Sequence, residues 1–452
     1  MLPYLFWHPY LAVVLGVLVV FTVLASYSLY NRPFPVTPTP AELYDLRVVQ
    51  IDDFGSFWDS TEAARVLTDV EAQSLLPSSS TFVVVFVHGW HHNAKSTDKS
   101  LQDFGKWLTR LSGQLSQPNR RAARHELTGS PEFRLVGIYV GWRGRSLPGQ
   151  LDYATMWWRK AAAERVGDGD LSEFLERLQR IYLRANAYSR YIQNPGHTPV
   201  MGLITVGHSF GGQAVLRAVA RPLEEQLAMR APQLANTASL PKKSEKPVPE
   251  QVVIDAFGDI NVLLNPATEA YQYSRIDSLY RQLEYPPQQA PQLLVFSAEN
   301  DVPRKFYFPI ARALTRPFRP AFRKDQGALW GTALGELLAQ RTHELRLARA
   351  GQESLSDEDF APADRQKIAA FDFTSETAFS GVKLRRLPGA PVIPNSPVAV
   401  VYTHDGIIEG HTGIFKPIFV DFLAEYAAFI QAKRALLRVQ RYETQLISDI
   451  RS

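Results

Sequence analysis

Val200-Met201-Gly202-Leu203-Ile204-Thr205-Val206-Gly207-His208-Ser209-Phe210-Gly211-Gly212 is the stretch that decides the fold of this chain. An apolar run of strand character enters Gly-x-Ser-x-Gly, and residues 213–220 leave it with helix-forming composition and apolar spacing. Strand, tight turn and helix, in that order, push a serine into strained backbone geometry. They leave it at the carboxyl edge of a sheet, beside the amide-rich start of a helix that favours negative charge. Gly207 and Gly211 stand where a Cβ would strike the adjoining strand or helix. This context predicts a nucleophilic Ser209; the bland alternative is a glycine-rich turn that merely contains serine.

A serine nucleophile needs an oxyanion hole, an acid and a base. Residues 81–87, Thr-Phe-Val-Val-Val-Phe-Val, are apolar and β-branched almost throughout, as in a parallel sheet covered on both faces. The run ends in His88-Gly89-Trp90, where glycine lets the chain turn. The Trp90 N–H is the expected oxyanion donor, with the Phe210 N–H as its partner. His88 is then a loop-shaping residue. His91 and His92 suggest a metal, but the chain has no Cys and no paired carboxylate adjoins them, so none is expected.

A strand ending in His-Gly-Trp, a later Gly-His-Ser-Phe-Gly-Gly, an acid and a late His resemble the α/β-hydrolase superfamily, and within it lipase- or esterase-like members. The resemblance spans about residues 82–426. It implies a mostly parallel central sheet with helices on both faces, cap or loop insertions, and the chain order Ser, acid, His. The strand-like 135–140, its Gly141-Trp142-Arg143-Gly144 turn and the aromatic segment 153–158 are similar to features of several such hydrolases. Residues 262–264 and 292–297 read as the sixth and seventh strands, the latter followed by Ala298-Glu299-Asn300-Asp301. The triad acid of similar enzymes sits in that loop. The resemblance therefore points to Asp301, with Glu299 second and Asp259 and Glu269 behind it.

Residues 398–403 read as the eighth strand, with His404 at its tip and His411 in Glu409-Gly410-His411-Thr412-Gly413. Similar hydrolases carry the base between the last strand and last helix, which favours His411 and leaves His404 as the alternative. His343 lies in a helical pattern and reads as a surface or packing residue. The implied chemistry has His411 take the Ser209 proton while Asp301 fixes the imidazole, with water then cleaving the acyl-enzyme and no cofactor required.

With 452 residues, 45% of them hydrophobic, the chain is large enough for one α/β domain with insertions. A net charge of +4 and the lack of zinc-finger, RNA-binding or phosphate-loop patterns give no reason to expect a nucleic-acid partner. No charged residue occurs from Met1 through Asn31, and residues 10–30 would span ~30 Å as a helix, enough to cross hydrocarbon. Trp7, Tyr10, Tyr27 and Tyr30 bracket that segment like interfacial aromatics. A retained single-pass anchor over residues 1–31 is expected, in preference to a signal cleaved near Ala25, with its orientation open.

A Pro-rich linker (32–44), the domain (45–440) and a tail (441–452) follow. Insertions are expected at about 231–251 and 302–396. The second begins with seven cations and five aromatics between Arg304 and Lys324. It reads either as a solvated basic face or as a surface resting on anionic lipid. The expected activity is a membrane-anchored serine esterase acting on small-molecule or lipid esters. A serine amidase, peptidase or thioesterase with the same triad is the alternative. A silent binding fold is the third class, and the joint presence of Ser209, Asp301 and His411 argues against it.

Overall fold

The computed structural model describes residues 4–30, 32–35, 40–76, 79–147, 149–193, 200–231, 251–315, 326–348, 371, 377–390 and 393–451. Its strands are β1 (Pro40–Ala41), β2 (Tyr44–Gln50), β3 (Ser80–Val87), β4 (Arg134–Gly141), β5 (Val200–His208) and β6 (Ile260–Leu264). They continue as β7 (Leu293–Ala298), β8 (His343–Leu347), β9 (Thr377–Phe379), β10 (Val382–Arg386) and β11 (Val398–Thr403). They form one sheet in the order β1-β2-β4-β3-β5-β6-β7-β11-β8-β10-β9. From β2 through β8 in that order all neighbours are parallel. Only the outer pairings, β1 with β2 at one edge and β8 with β10 and β10 with β9 at the other, are antiparallel.

Continuous apolar runs build the centre because both sheet faces are covered. Along β3, Val83, Val85 and Val87 enter one core cluster while Phe82, Val84 and Phe86 enter the other. The first cluster is closed by the helices Ser60–Ser74, Met156–Asp168, Asp170–Ala185 and Phe210–Arg230. The second is closed by Lys99–Leu115 and Pro417–Arg451. Strand order reverses about β3, which has β4 on one side and β5 on the other. A crevice at the carboxyl ends of the strands is the expected ligand position in such a sheet.

The insertion after Asp301 departs from the sequence reading. His343 lies in β8 rather than in a helix, and β8, β10 and β9 extend the main sheet. The alternation in Glu344-Leu345-Arg346-Leu347 is too short to signal a strand by itself; pairing with β11 and β10 makes it one. Residues 232–250, most of the first insertion, lie outside the described residues, as do Arg316, Arg319, Arg323 and Lys324. The last helix, Pro417–Arg451, runs unbroken through residue 440 into the tail.

At the N-terminus a helix runs from Tyr4 to Tyr30. Its large apolar side chains from Tyr10 to Leu24 are 48–71% exposed. Among the described residues no helix is long and apolar enough to cross a membrane, and side chains of this one are described over 9–25 only. The linker is not wholly free of the domain. Phe34 is buried, its N–H donates to Gln50 Oε1 (2.8 Å), and Gln50 Nε2 donates to its carbonyl (2.8 Å).

Candidate active site

The end of β5 runs directly into the helix Phe210–Arg230, and Ser209 at the junction has φ +56° and ψ −119°. A non-glycine residue tolerates that region only when its surroundings hold it there. The Ser209 N–H donates to Leu264 O (3.0 Å), and its carbonyl accepts from Ala267 N–H (3.1 Å) and Gln213 N–H (3.2 Å). A Cβ at Gly207 would lie 2.5 Å from Gly211 O and 2.7 Å from Gly212 Cα, and one at Gly211 would collide with the Val87 and His88 carbonyls. The turn is therefore as tight as its glycines suggest.

The Ser209 hydroxyl is 2.7 Å from His411 Nε2, and His411 Nδ1 is 2.8 Å from Asp301 Oδ2. Three loops, after β5, β7 and β11, converge to make this line. Asp301 is fully buried, and its other oxygen accepts from Arg304 N–H (3.0 Å). Burial by itself raises its carboxyl pKa, but the neighbouring His411 and Arg304 outweigh that and hold it below the usual carboxylate range.

The two expected oxyanion donors belong to residues beside Ser209: Phe210 follows it in the chain, and Trp90 lines the same cavity. The turn at Gly89 lies so close that a Cβ there would be 2.8 Å from Ser209 Cβ. Neither the Trp90 N–H nor the Phe210 N–H has a hydrogen-bond partner among the described residues. The Phe210 N–H is one of the orphan donors of a helix start.

His404 and Glu299 are brought together with each other and not with Ser209. His404 Nδ1 is 3.1 Å from Glu299 Oε2, and its Nε2 is 2.8 Å from Glu344 Oε2. With both ring nitrogens on carboxylates, His404 bridges the end of β11 to β8. Asp259 accepts from Tyr182 Oη (2.8 Å) and Leu203 N–H (2.9 Å), and Glu269 faces Lys160 (3.2 Å) and Arg312 (3.0 Å). Both are structural ion-pair partners.

His88 donates from Nδ1 to Gly89 O (2.8 Å) and accepts at Nε2 from Trp142 N–H (3.0 Å). Burial pushes its pKa down to about 4, so the ring is neutral and ties β3 to β4. The expectation that His91 and His92 lack carboxylates is corrected. His91 reaches Asp152 (2.7 Å) and His92 reaches Asp98 (3.0 Å), contacts made by folding. The two pairs remain separate, and among the described residues no group of three or more ligands is placed to hold a metal.

Sequence reasoning missed the residues that hold the His411 loop. Asn265, at φ +45°, donates from Nδ2 to the carbonyls of Gly410 (3.1 Å) and His411 (3.0 Å). Its Oδ1 accepts from Ala298 N–H (2.8 Å). Asn300 Oδ1 accepts from Gly410 N–H (2.6 Å), and His208 Nε2 meets His411 O (2.9 Å). Burial lowers the His208 pKa well below its ordinary value, so its neutral ring donates to that carbonyl. The available signal was positional: each residue sits at the carboxyl end of a strand or just past it.

A cavity of about 160 Å³ opens beside Ser209 and His411, walled chiefly by Trp90, Tyr153, Met156, Phe210, Tyr307 and Phe308. A hydroxyl with a base, a buried acid behind the base, two free amides and an apolar pocket is an arrangement able to carry out acyl transfer. Comparison of the chain with family models, curated proteins and solved structures finds no match.

Proposed function

We propose that this chain is a serine hydrolase of the α/β-hydrolase superfamily that cleaves carboxylic esters and is anchored in a membrane by its N-terminal helix. The observation that carries the reading is the continuous line from buried Asp301 through His411 to Ser209 on a positive-φ elbow. His411 Nε2 takes the hydroxyl proton as Ser209 Oγ attacks the ester carbonyl. The imidazolium is stabilised by Asp301, and the oxyanion is received by the Trp90 and Phe210 amides. His411 then gives its proton to the leaving alcohol, and a water activated by the same ring cleaves the acyl-enzyme. The apolar pocket supports an acyl chain rather than a charged group as the part that enters.

The anchor reading rests on residues 1–31 lacking any charge and on a helix of 27 residues, about 40 Å long against a hydrocarbon core of about 30 Å. A fluorophosphonate probe should label the full chain, and Ser209→Ala should lose both the label and turnover while keeping its fold. Persistent labelling in that variant would sink the assignment. A panel of esters of rising acyl length, with matched amides and thioesters, identifies the bond cleaved. Recovery of a shortened mature chain in the soluble fraction would replace the anchor with a cleaved signal.

A further inference from the structure

The segment that roofs the pocket is amphipathic in the inverse sense. A π-helical turn, Pro303–Tyr307, runs into the helix Phe308–Thr315. Its two arginines turn inward, and half-buried Lys305 donates to the Glu299 carbonyl. Arg304 is 1% exposed and faces Asp301 (3.7 Å) and Glu336 (3.4 Å), and buried Arg312 faces Glu269 (3.0 Å). Its outward stripe is apolar, with Val302, Phe306 (61% exposed), Tyr307 and Ile310 (57% exposed) at helical spacing. Tyr307 also lines the cavity, as does Tyr153 from the facing segment, where Leu151 and Tyr153 are exposed as well. Charges inside and aromatics outside are the reverse of what water selects, and they mark a surface that meets an apolar phase.

The tether fixes which apolar phase. Phe34 is docked on Gln50, and Gln50 pairs with Gly141 at the carboxyl end of β4. Val140 pairs with Val87, and Val87 with Gly207, so Gln50 and the Ser209 elbow share one edge of the sheet. Three strand spacings separate them, about 14 Å. Three residues lie between Tyr30, the last of the helix, and Phe34, so the four steps of chain reach at most about 14 Å. The N-terminal helix must therefore enter its bilayer beside the edge that carries the active site and its apolar roof.

We propose that this edge rests on the bilayer holding the helix, with Phe306 and Ile310 dipping into it, and that Ser209 draws acyl esters from lipids of that bilayer. The inference rests on the hydrolase and anchor readings above. Basic attraction to anionic lipid, one of the two sequence readings of this segment, is not supported by Arg304 and Arg312, because both are internally paired.

The absence of Cys permits a direct test on the full chain in phosphatidylcholine vesicles. Phe306→Cys and Met229→Cys would each carry an environment-sensitive fluorophore. Met229 is exposed near the far end of the helix that leads away from Ser209. The label at 306 should shift to the blue and be quenched by spin-labelled phosphatidylcholine, and the label at 229 should do neither. Joint Phe306→Asp and Ile310→Asp substitution should cut turnover of a vesicle-embedded lipid ester at least about tenfold, while a soluble short-chain ester is hydrolysed as before. A label at 306 no better quenched than at 229 would overturn the docking. Loss of both turnovers in equal proportion would overturn the claim that the surface serves lipid delivery. An unmodified chain that hydrolyses neither ester and takes no fluorophosphonate label would refute the hydrolase reading instead, with the quenching still deciding the docking.

Discussion

Two histidine–carboxylate pairs arise from the same two loops at the carboxyl ends of β7 and β11, and only one is aimed at a hydroxyl. Asp301 and His411 leave one imidazole nitrogen for a hydroxyl, whereas Glu299 and His404 use both nitrogens on carboxylates. Asp301 is fully buried and backed by Arg304; Glu299 is at the surface, accepting also from Asp405 N–H (3.2 Å). The difference teaches that a histidine and an acid at strand ends are not enough. The second ring nitrogen must be aimed at a nucleophile, and a separate scaffold must hold it there. For His411 that scaffold is Asn265, Asn300 and His208 gripping the backbone from Gly410 to His411. For His404 it is the flanking side chains themselves.

The largest effect expected from breaking the first pair is on turnover. His411→Ala should lower kcat by about 10⁵–10⁶-fold, the scale seen when a triad acts as a unit. Asp301→Asn should cost about 10⁴-fold by favouring the wrong tautomer. Steady-state kinetics on a soluble ester reads both, and His404→Gln measured alongside should stay within a few-fold of the unmodified enzyme. A His404→Gln variant as dead as His411→Ala would reverse the assignment.

An intermediate effect isolates the scaffold from the chemistry. Asn265→Ala removes the two bonds to the His411 loop, with those its Oδ1 accepts from Ala298 N–H and Arg304, while leaving Ser209, His411 and Asp301 in the chain, and a displacement of about 1 Å costs on the order of 10²-fold. The expected result is a fall of that size in kcat with KM little changed and slower fluorophosphonate labelling. An unchanged labelling rate would show that the loop holds its position without Asn265.

The smallest effects concern stability and sharpen the comparison from the other side. His404→Gln should lower thermal stability by about 1–2 kcal/mol, because Glu344 is buried and loses one of its partners. Acid tests the first pair in a second way. The folded-state pKa of Asp301 lies below its unfolded value of about 3.9, so its stabilising contribution is complete above that value and is lost as pH falls through the folded one. Below about pH 4 the unmodified protein should therefore lose stability more steeply than Asp301→Asn, measured as Tm against pH. Parallel curves would mean that the buried carboxylate contributes no such linkage.

What the sequence by itself determined is local or set by solvent. The runs at β3, β5, β7 and β11 are apolar along their length because both faces are covered, so composition alone marks them as central strands. The elbow at Ser209 is legible because its steric demands fall on Gly207 and Gly211, neighbours in the chain. The uncharged N-terminal helix is equally plain. Tertiary structure decided everything that depends on a distant partner. Residues 343–347 become a strand through pairing with β11 and β10, since the alternation from Glu344 to Leu347 is too short a run to signal one by itself. Arg304 and Arg312 face inward only because Asp301, Glu336 and Glu269 await them there, which leaves Val302, Phe306, Tyr307 and Ile310 as an apolar outer stripe. His411 and His404 are seven residues apart on the one loop after β11, and only the resemblance to similar hydrolases favours His411. The choice was made by Ser209 and Glu344, which approach from other strands, and by Asn265, whose side chain closes on a loop 145 residues away.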